Sequence, residues 1–299
     1  MAQTAHADAS PAAEEPSTPA VKNVFWQPNQ LQQGSAAFFT VELNRVPVGV
    51  SGTWIGKTLT FFKSDNPEIW YALAGADVET QPGSYDLEVT AVLADGNRLR
   101  SAKQVELVAA NFKTEALEVP KNFVEPNAAE KREIAREKVL KKRAFAQLTA
   151  RPLWSGDFIK PVNGPATESF GESRTLNDEK ISTHRGTDFP VKEGTAVLAS
   201  NSGTVVLARK LFYEGNCVIV DHGEGFFTIY MHLSRIDVRP GDRRKKGEQI
   251  GLSGATGRVT GPHLHMGVRW NGAYLNPVGL LALTLPKTDV YNHATMPVR

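Results

Sequence analysis

Apolar and polar positions alternate with a period of two in much of the N-terminal third of the chain. Residues 85–92 (YDLEVTAV) alternate as a half-buried strand does, and the Asp-Gly pair that follows them is typical of a hairpin turn. Residues 38–43 and 59–62 are rich in the aromatic and β-branched side chains that favour strands. Several short strands within residues 21–112 predict a small β-sandwich.

A different pattern occupies residues 126–148, where good helix formers carry many charges. Pro126 stands just before this run, and Glu137 precedes Lys141 by four positions, a spacing that supports a helix. The pattern predicts a charged and mostly solvated helix. We therefore interpret residues 113–151 as a linker between two domains.

The second half of the chain returns to short apolar runs separated by glycine-containing turns. Residues 203–208, 217–220 and 226–231 are strand candidates, and no long helical period interrupts them. This pattern predicts a compact, mostly antiparallel β domain over residues 152–285. The fold class expected for the whole chain is all-β, with the helical linker as the exception.

Composition and charge exclude several classes of protein. The chain has 299 residues, of which 41% are hydrophobic, enough for two domains with cores of their own. A net charge of +2 argues against a dedicated nucleic-acid binder, and no apolar run is long enough to form a transmembrane segment. Cys217 is the one cysteine, which excludes a disulfide framework and a cysteine zinc cage within one chain.

The two ends of the chain are expected to lie outside the domains. Residues 1–20 are almost devoid of large apolar groups, so we predict a flexible tail there, and residues 286–299 are expected to form a C-terminal tail. The first segment lacks the apolar region of a signal peptide. Such a sequence fits either a cytosolic protein or an exported one from which the signal has been removed.

The histidines carry the chemistry of the sequence. Of the seven histidines, five lie between positions 184 and 265. Three motifs contain most of them: His184 with Asp188 four positions later, His232 within YMHLS, and His263 with His265 within GPHLH. Histidine and carboxylate are natural zinc ligands, and a catalytic zinc keeps three of them with one position left for water.

The spacing within each motif predicts where the side chains point. Residues two apart on a strand face the same side, so His263 and His265 are expected to project together. By the same rule His232 should share a face with Thr228 and Tyr230. Gly186 and Pro190 make a helix unfavourable around the first motif, so we expect its two ligands on a loop or at the entry of a strand.

Taken together and in this order, the motifs resemble the lysostaphin-type zinc metallopeptidases, the M23 or LytM-like family. An upstream Phe-Gly-Glu-Ser-Arg segment and the glycine turns that follow also match, and the resemblance covers about residues 152–280. The N-terminal part more loosely resembles the immunoglobulin-like domain that precedes some of these peptidases. The main departure from the family is an insert over residues 175–183, in the wall of the expected groove.

The resemblance implies one Zn²⁺ per chain, held by His184, Asp188 and His265, with His232 and His263 as catalytic histidines that do not bind the metal. Two neutral imidazoles and one carboxylate leave such a site with a net charge of +1, which lowers the pKa of bound water and polarises a carbonyl. We favour His263 as the base and His232 as the oxyanion partner, although the sequence does not separate the two roles. The chain has no H-E-x-x-H motif, which excludes the helical metalloprotease scheme.

The function that this resemblance implies is a zinc-dependent endopeptidase that hydrolyses peptide bonds in peptidoglycan cross-links or stem peptides. The expected protein is a monomer in the periplasm, in the cell envelope or outside the cell. One alternative is a non-catalytic LytM-like module that binds the cell wall or activates a separate hydrolase. Another alternative, suggested by turns such as Arg239-Pro240-Gly241-Asp242, is a biotinyl or lipoyl carrier domain, but no lysine stands at a suitable hairpin tip.

Overall fold

The architecture is that of a computed structural model, which describes residues 21–147, 149–178 and 180–287. The predicted tail at residues 1–20 and positions 288–299 of the predicted C-terminal tail lie outside these residues. No helix in the described part of the chain is both long enough and apolar enough to cross a membrane.

Up to residue 117 the described chain is built of strands. They are β1 (Val21–Gln27), β2 (Leu31–Gln32), β3 (Ala36–Leu43), β4 (Gly49–Trp54), β5 (Lys57–Thr60), β6 (Phe62–Lys63), β7 (Ile69–Gly75), β8 (Gly83–Val92), β9 (Arg98–Val108) and β10 (Thr114–Leu117). A short 3₁₀ helix (Lys121–Phe123) and the helix α1 (Ala128–Phe145) follow.

The rest of the described chain is again dominated by strands. They are β11 (Ser173–Leu176), β12 (Lys180–Thr183), β13 (Thr187–Phe189), β14 (Ala196–Leu198), β15 (Gly203–Leu211), β16 (Gly215–Asp221), β17 (Phe226–Leu233), β18 (Arg235–Ile236), β19 (Arg243–Arg244), β20 (Gln249–Leu252), β21 (Leu264–Trp270) and β22 (Ala273–Leu275). The short helix α2 (Pro277–Leu281) closes the described part. The predicted all-β class is confirmed.

Two sheets form the N-terminal half. One has the strand order β1-β3-β7-β6 and the other β2-β9-β8-β4-β5. Phe39 of the first sheet meets Trp54 of the second edge-to-face, with ring centroids 5.2 Å apart, and both side chains are fully buried. The strand predicted at residues 59–62 is interrupted at Phe61, because its two ends pair in different sheets, β5 with β4 and β6 with β7.

A larger antiparallel sheet organises the C-terminal half, with the order β13-β21-β17-β16-β15-β19 and β22 added beside β21. A three-stranded sheet, β14-β20-β18, and a second one, β10-β11-β12, lie outside it. The last of these is built partly from the predicted linker, since β10 pairs in parallel with β11. A strand from the connection between the two halves therefore contributes to the C-terminal half.

The two halves share a continuous core. Phe62 packs edge-to-face on Trp154, with centroids 5.4 Å apart. A side chain added at Gly75 would meet Leu275. Only a residue without a β-carbon leaves room for Leu275 at this point. Gly75 therefore allows the N-terminal half to pack closely against the C-terminal half.

Helix α1 begins with a capping box. The side-chain oxygen of Asn127 accepts hydrogen bonds from the backbone N–H groups of Ala129 and Glu130, and the carboxylate of Glu130 accepts one from the Asn127 N–H. Most residues of the helix are exposed, as the charge pattern predicts, but two of its charged side chains also fasten it to the C-terminal half. Glu137 is buried and accepts the Phe212 N–H with both carboxylate oxygens, at 2.9 and 3.0 Å. Lys141 bonds the carboxylate of Glu214. The helix is therefore fastened to the strand β15 and to the turn after it.

Replacement of Glu137 by Ala is expected to destabilise the fold by about 1–3 kcal/mol, because it leaves the partly buried Phe212 N–H without an acceptor. Urea denaturation monitored by circular dichroism measures the change. Glu133→Ala is the matched control, since Glu133 lies one turn earlier on the same helix and is exposed. Equal stability of the two variants would show that the Glu137 contact does not hold the helix in place.

Candidate metal centre

Strand pairing brings two of the expected metal ligands together. Asp188 on β13 lies directly opposite His265 on β21, and Met231 on β17 lies opposite His265 on its other side. Directly opposed residues in an antiparallel pair point to the same face of the sheet. The sheet therefore places Asp188 and His265 side by side on one face.

The third expected ligand, His184, follows β12 in a short connection before β13, which confirms a loop or strand entry as its location. Its backbone is fixed on both sides, because the His184 N–H donates to Glu172 O and His184 O accepts from the Gly171 N–H. The ring is fixed as well, since Nδ1 lies 2.7 Å from the carbonyl oxygen of Ser169. Nδ1–H must then be the donor, and Nε2 keeps its lone pair for the cluster.

Three donor atoms meet at this point. His184 Nε2 is 3.0 Å from His265 Nδ1, His265 Nδ1 is 2.8 Å from Asp188 Oδ1, and His184 Nε2 is 3.3 Å from Asp188 Oδ1. Ligands bound at ~2.0–2.1 Å to a tetrahedral zinc stand roughly 3.3 Å apart. Two imidazole nitrogens and one carboxylate oxygen also form a donor set that zinc accepts. The residues present fit such an ion.

The electrostatics of the cluster suit a cation. Burial raises the pKa of Asp188, but the adjacent imidazole rings of His184 and His265 outweigh it and hold the pKa far below its ordinary range. Burial is also the main reason that the pKa of His265 is lowered. Asp188 is therefore ionised and His265 neutral at neutral pH, the protonation states that metal ligands need.

Backbone packing explains why a glycine, Gly186, stands between His184 and Asp188, two of the expected ligands. A β-carbon at Gly186 would collide with His265 Nε2 and with the carbonyl oxygen of Met266. The loop can pass this close to the ring only without a side chain. Gly186 therefore lets the His184 segment approach β21 closely enough for the three donor atoms to meet.

His232 reaches the site in a way that strand alternation does not predict. Thr228 and Tyr230 share a buried face, where their hydroxyl groups are 3.0 Å apart. His232 adopts a left-handed backbone with φ of 64°, which is rare for a residue with a side chain and breaks the alternation. Its ring centroid lies 5.0 Å from that of His263 and 5.9 Å from that of His265. The expectation that His232 faces the same side as Thr228 and Tyr230 as part of a regular strand is therefore wrong.

The remaining histidine of the GPHLH motif, His263, stands just before β21 and forms an isolated bridge with Gly254. Its Nδ1 lies 2.8 Å from the carbonyl oxygen of Gly261, and its Nε2 lies 3.7 Å from Asp188 Oδ1. His263 and His265 therefore face the same site, as the spacing predicts. Because Nδ1–H donates to Gly261, the lone pair of His263 is on Nε2, the nitrogen that points toward the donor atoms.

The two histidines that are not among the expected metal ligands, His232 and His263, are both oriented by backbone carbonyl groups. His232 Nδ1 lies 2.8 Å from the carbonyl oxygen of Thr256, which leaves its lone pair on Nε2. Burial, followed by the proximity of His265 and His263, lowers the pKa of His232 to about 3. The ring of His232 is therefore neutral at neutral pH.

The fifth histidine of the region, His222, takes no part in the cluster. It is fully buried, with Nδ1 2.8 Å from the carbonyl oxygen of Ser202 and Nε2 2.7 Å from Thr228 Oγ1. Burial lowers its pKa to about 4. His222 is a structural residue of the core.

An open groove of about 690 Å³ contains the whole constellation. The residues His184, Asp188, His232, His263 and His265 all line it. Its walls also include Glu115 and Leu117 of β10 and Lys141 of α1, so the predicted linker forms part of the groove. Sequence patterns near the histidines gave no signal for these contributions, because both segments are distant in sequence.

Arg174 is a functional candidate that the sequence showed only as part of a family segment. Its guanidinium Nη2 is 3.2 Å from Asp188 Oδ2 and 3.2 Å from Glu172 Oε2, and its Nε is 3.3 Å from Glu115 Oε2. The oxygen of Asp188 that faces away from the histidines is thereby held in place. Arg174 therefore orients the carboxylate of Asp188, one of the expected metal ligands.

Replacement of Arg174 by Met is expected to weaken metal binding about 10–100-fold, the usual cost of losing a partner that orients a ligand. Competition with a chromophoric chelator measures the affinity. Arg235→Met is a control, because Arg235 is an exposed arginine whose partner, Asp237, lies outside the groove lining. Unchanged affinity in Arg174→Met would mean that the strand pairing alone positions Asp188.

The fold and the site agree with the comparisons to known proteins. Residues 182–277 match the family model described as peptidase family M23. A solved Pseudomonas aeruginosa structure assigned to peptidase M23 superimposes with a TM-score of 0.64 at 28% identity, covering 85% of this chain and 96% of that one. Residues 182–277 therefore form a domain of the M23, LytM-like family of metallopeptidases.

Curated relatives are similar over the same domain. The peptidoglycan DD-endopeptidase ShyA of Vibrio cholerae is 42% identical over 115 residues, which are 38% of this chain and 27% of the relative. The DD-carboxypeptidase/endopeptidase Mpg of Neisseria meningitidis is 42% identical over 104 residues, 35% of this chain and 24% of the relative. The matched segment thus spans about a quarter of the curated relatives. Membership of a metallopeptidase family and the donor cluster together indicate a metal cofactor.

Proposed function

We propose that this protein is a zinc-dependent endopeptidase that hydrolyses peptide bonds in peptidoglycan, either in cross-links or in stem peptides. The observation that carries the proposal is the meeting of three donor atoms of His184, Asp188 and His265 in an open groove beside two further histidines. The names of the relatives support peptidoglycan as the substrate. Action on that polymer implies a location outside the cytoplasm.

His184, Asp188 and His265 would hold one Zn²⁺ per chain. Bound there, the ion would lower the pKa of water toward ~7 and polarise the carbonyl of the scissile peptide bond. Arg174 keeps Asp188 oriented, and the carbonyl of Ser169 keeps His184 oriented. These contacts prepare the ligands before a substrate arrives.

His263 is the proposed general base. Its Nε2 carries a lone pair and lies 3.7 Å from Asp188 Oδ1, so it can take the proton of an attacking water beside the ligand atoms. The proton then passes from Nε2 to the leaving amine. The carbonyl of Gly261 holds the ring in one tautomer throughout.

His232 is the proposed partner of the oxyanion. In the resting site its Nε2 has no proton, because Nδ1–H donates to Thr256 and burial keeps the ring neutral. As negative charge develops on the carbonyl oxygen, the proton affinity of Nε2 rises, so the ring takes up a proton from solvent water, donates a hydrogen bond to that oxygen, and returns the proton to solvent when the intermediate collapses. His232 then stabilises the charge only as the transition state forms, as differential binding requires.

The donor set argues against a non-catalytic module, which would not need three metal ligands and two oriented histidines in one groove. We further propose that the protein acts as a monomer, since each component of the site comes from a single chain.

Digestion of purified peptidoglycan sacculi by the zinc-loaded full-length chain tests the function. We expect soluble fragments whose masses identify the bond that is cut, and no release when a chelator is present. His263→Ala, loaded with zinc, is the matched control that retains the fold and the ligands. Failure of the zinc-loaded protein to release any fragment, or equal release with the chelator, would refute a zinc endopeptidase acting on this polymer.

A further inference from the structure

The groove is lined by four basic side chains besides the histidines, and three of them have carboxylate partners. Lys141 bonds Glu214, Arg174 contacts Glu115, Glu172 and Asp188, and Arg185 lies 2.6 Å from Glu79; the fourth is Arg258. Such pairing neutralises the charges that the groove walls carry.

Arg258 differs from the other three. No carboxylate among the described residues lies within ion-pair distance of its guanidinium. The nearby carboxylate of Glu214 bonds Lys141 instead, and Arg174 adds a second positive charge to the surroundings. Burial lowers the pKa of Arg258, but an arginine remains charged at neutral pH. The groove therefore contains one half-buried cation that has Glu214 nearby but forms no ion pair with a carboxylate of the described residues.

The guanidinium of Arg258 is nonetheless held in place. It lies over the ring of Tyr213, 5.0 Å from the centroid. The backbone N–H of Arg258 donates to the carbonyl oxygen of Tyr213 at 2.9 Å, which fixes the main chain from which the side chain projects. Stacking leaves the edge of a guanidinium plane, with its N–H groups, available to a ligand. An ordered cation in a groove favours a ligand that supplies a planar anion.

The position of Arg258 along the chain links it to the catalytic histidines. Thr256, two residues earlier, orients His232, and Gly261, three residues later, orients His263. The loop of residues 256–261 thus provides the two carbonyl groups that orient the rings of His232 and His263, and it also carries the guanidinium of Arg258. A ligand group bound by Arg258 would belong to the part of a substrate close to the reacting bond.

We infer that Arg258 is a specificity-determining residue that binds a free carboxylate of the peptide substrate, on a residue flanking the scissile bond. This inference rests on the proposed function. A carboxylate can accept two parallel hydrogen bonds from a guanidinium, whereas the corresponding amide is neutral and has one oxygen. The site should therefore prefer a peptide whose carboxylate is free over the same peptide in amidated form.

The test uses two cross-linked muropeptides that differ only in whether the carboxylate next to the scissile bond is free or a primary amide. The zinc-loaded full-length protein should show a kcat/KM about 10–100-fold higher for the free acid, mainly through KM. Arg258→Gln should lose this preference by losing activity on the free acid alone. Arg258→Lys should restore part of it, because lysine supplies charge without the paired geometry.

Arg239→Gln is the matched control, since Arg239 is an exposed arginine outside the groove lining, and it should keep the preference. The metal content of each variant is measured in parallel. An equal loss on both peptides in Arg258→Gln would indicate that Arg258 only supports the loop, and no loss would show that it binds no substrate group. Either result overturns the inference.

Calorimetric binding of the two peptides to His263→Ala, with and without Arg258→Gln, separates this inference from the proposed function. One outcome is that hydrolysis fails but the free acid still binds more tightly than the amide, and that this difference disappears in Arg258→Gln. That outcome would support the role of Arg258 and refute the proposed reaction. Hydrolysis without any such preference would refute the role of Arg258 alone.

Discussion

Replacement of His263 by Ala is expected to lower hydrolysis by about 10²–10⁴-fold without loss of metal. The imidazole that would accept the proton of water is removed, and general-base catalysis contributes a factor of this size. The three donor atoms of His184, Asp188 and His265 are untouched, because His263 Nε2 stands 3.7 Å from Asp188 Oδ1 and outside the closer cluster.

Two measurements on the same preparation check this expectation: the rate of fragment release from sacculi and the zinc content by mass spectrometry. His232→Ala is the comparison variant. The pH dependence of the rate is measured for His263→Ala and for His232→Ala. The variant whose rate no longer falls at acidic pH is the one that lacks the general base. A preparation of His263→Ala without zinc would show that His263 is a ligand and that the division of roles is wrong.

Replacement of Asp188 by Asn is expected to empty the site. The amide has nearly the same shape but no charge, so the metal loses its one anionic ligand while Arg174 and the two histidines remain around it. Loss of a residue that only orients a metal ligand already lowers metal affinity about 10–100-fold. Loss of the charge on the ligand itself should therefore lower it more than ~100-fold. Hydrolysis should fall with it.

Titration of zinc against a chromophoric chelator measures the affinity of Asp188→Asn. Asp237→Asn is the matched control, since Asp237 also pairs with an arginine but lies outside the groove lining. Thermal unfolding is measured alongside to show that the variant is folded. Retention of wild-type zinc affinity by Asp188→Asn would exclude Asp188 as a ligand.

The sequence predicted those parts of the fold that depend on local pattern. The alternation at residues 85–92 predicted a strand, which is β8 in the structure. The apolar runs at 203–208 and 226–231 predicted strands that correspond to β15 and β17. The spacing of His263 and His265 correctly indicated that both rings face one site. Such features need only the period of two and the turn residues at each end of a strand.

Other features depend on pairing between distant segments. Helix α1 has a charged sequence, and only the position of Phe212, 75 residues after Glu137, turns one of its carboxylates into a buried contact. His232 required a left-handed residue at the end of β17, which nothing in the YMHLS segment indicates. These contacts follow from register and packing, which local propensity does not encode.

The parallel pairing of β10 with β11 bears on how the peptidase half can be prepared in isolation. A fragment that starts at residue 150 would leave one side of Ser173–Leu176 with open backbone donors and acceptors, and unpaired edges of this kind recruit other chains. It would also remove the carboxylate of Glu115 from Arg174. Aggregation or weak zinc retention in such a truncated preparation would then reflect the missing strand and not a property of the intact chain.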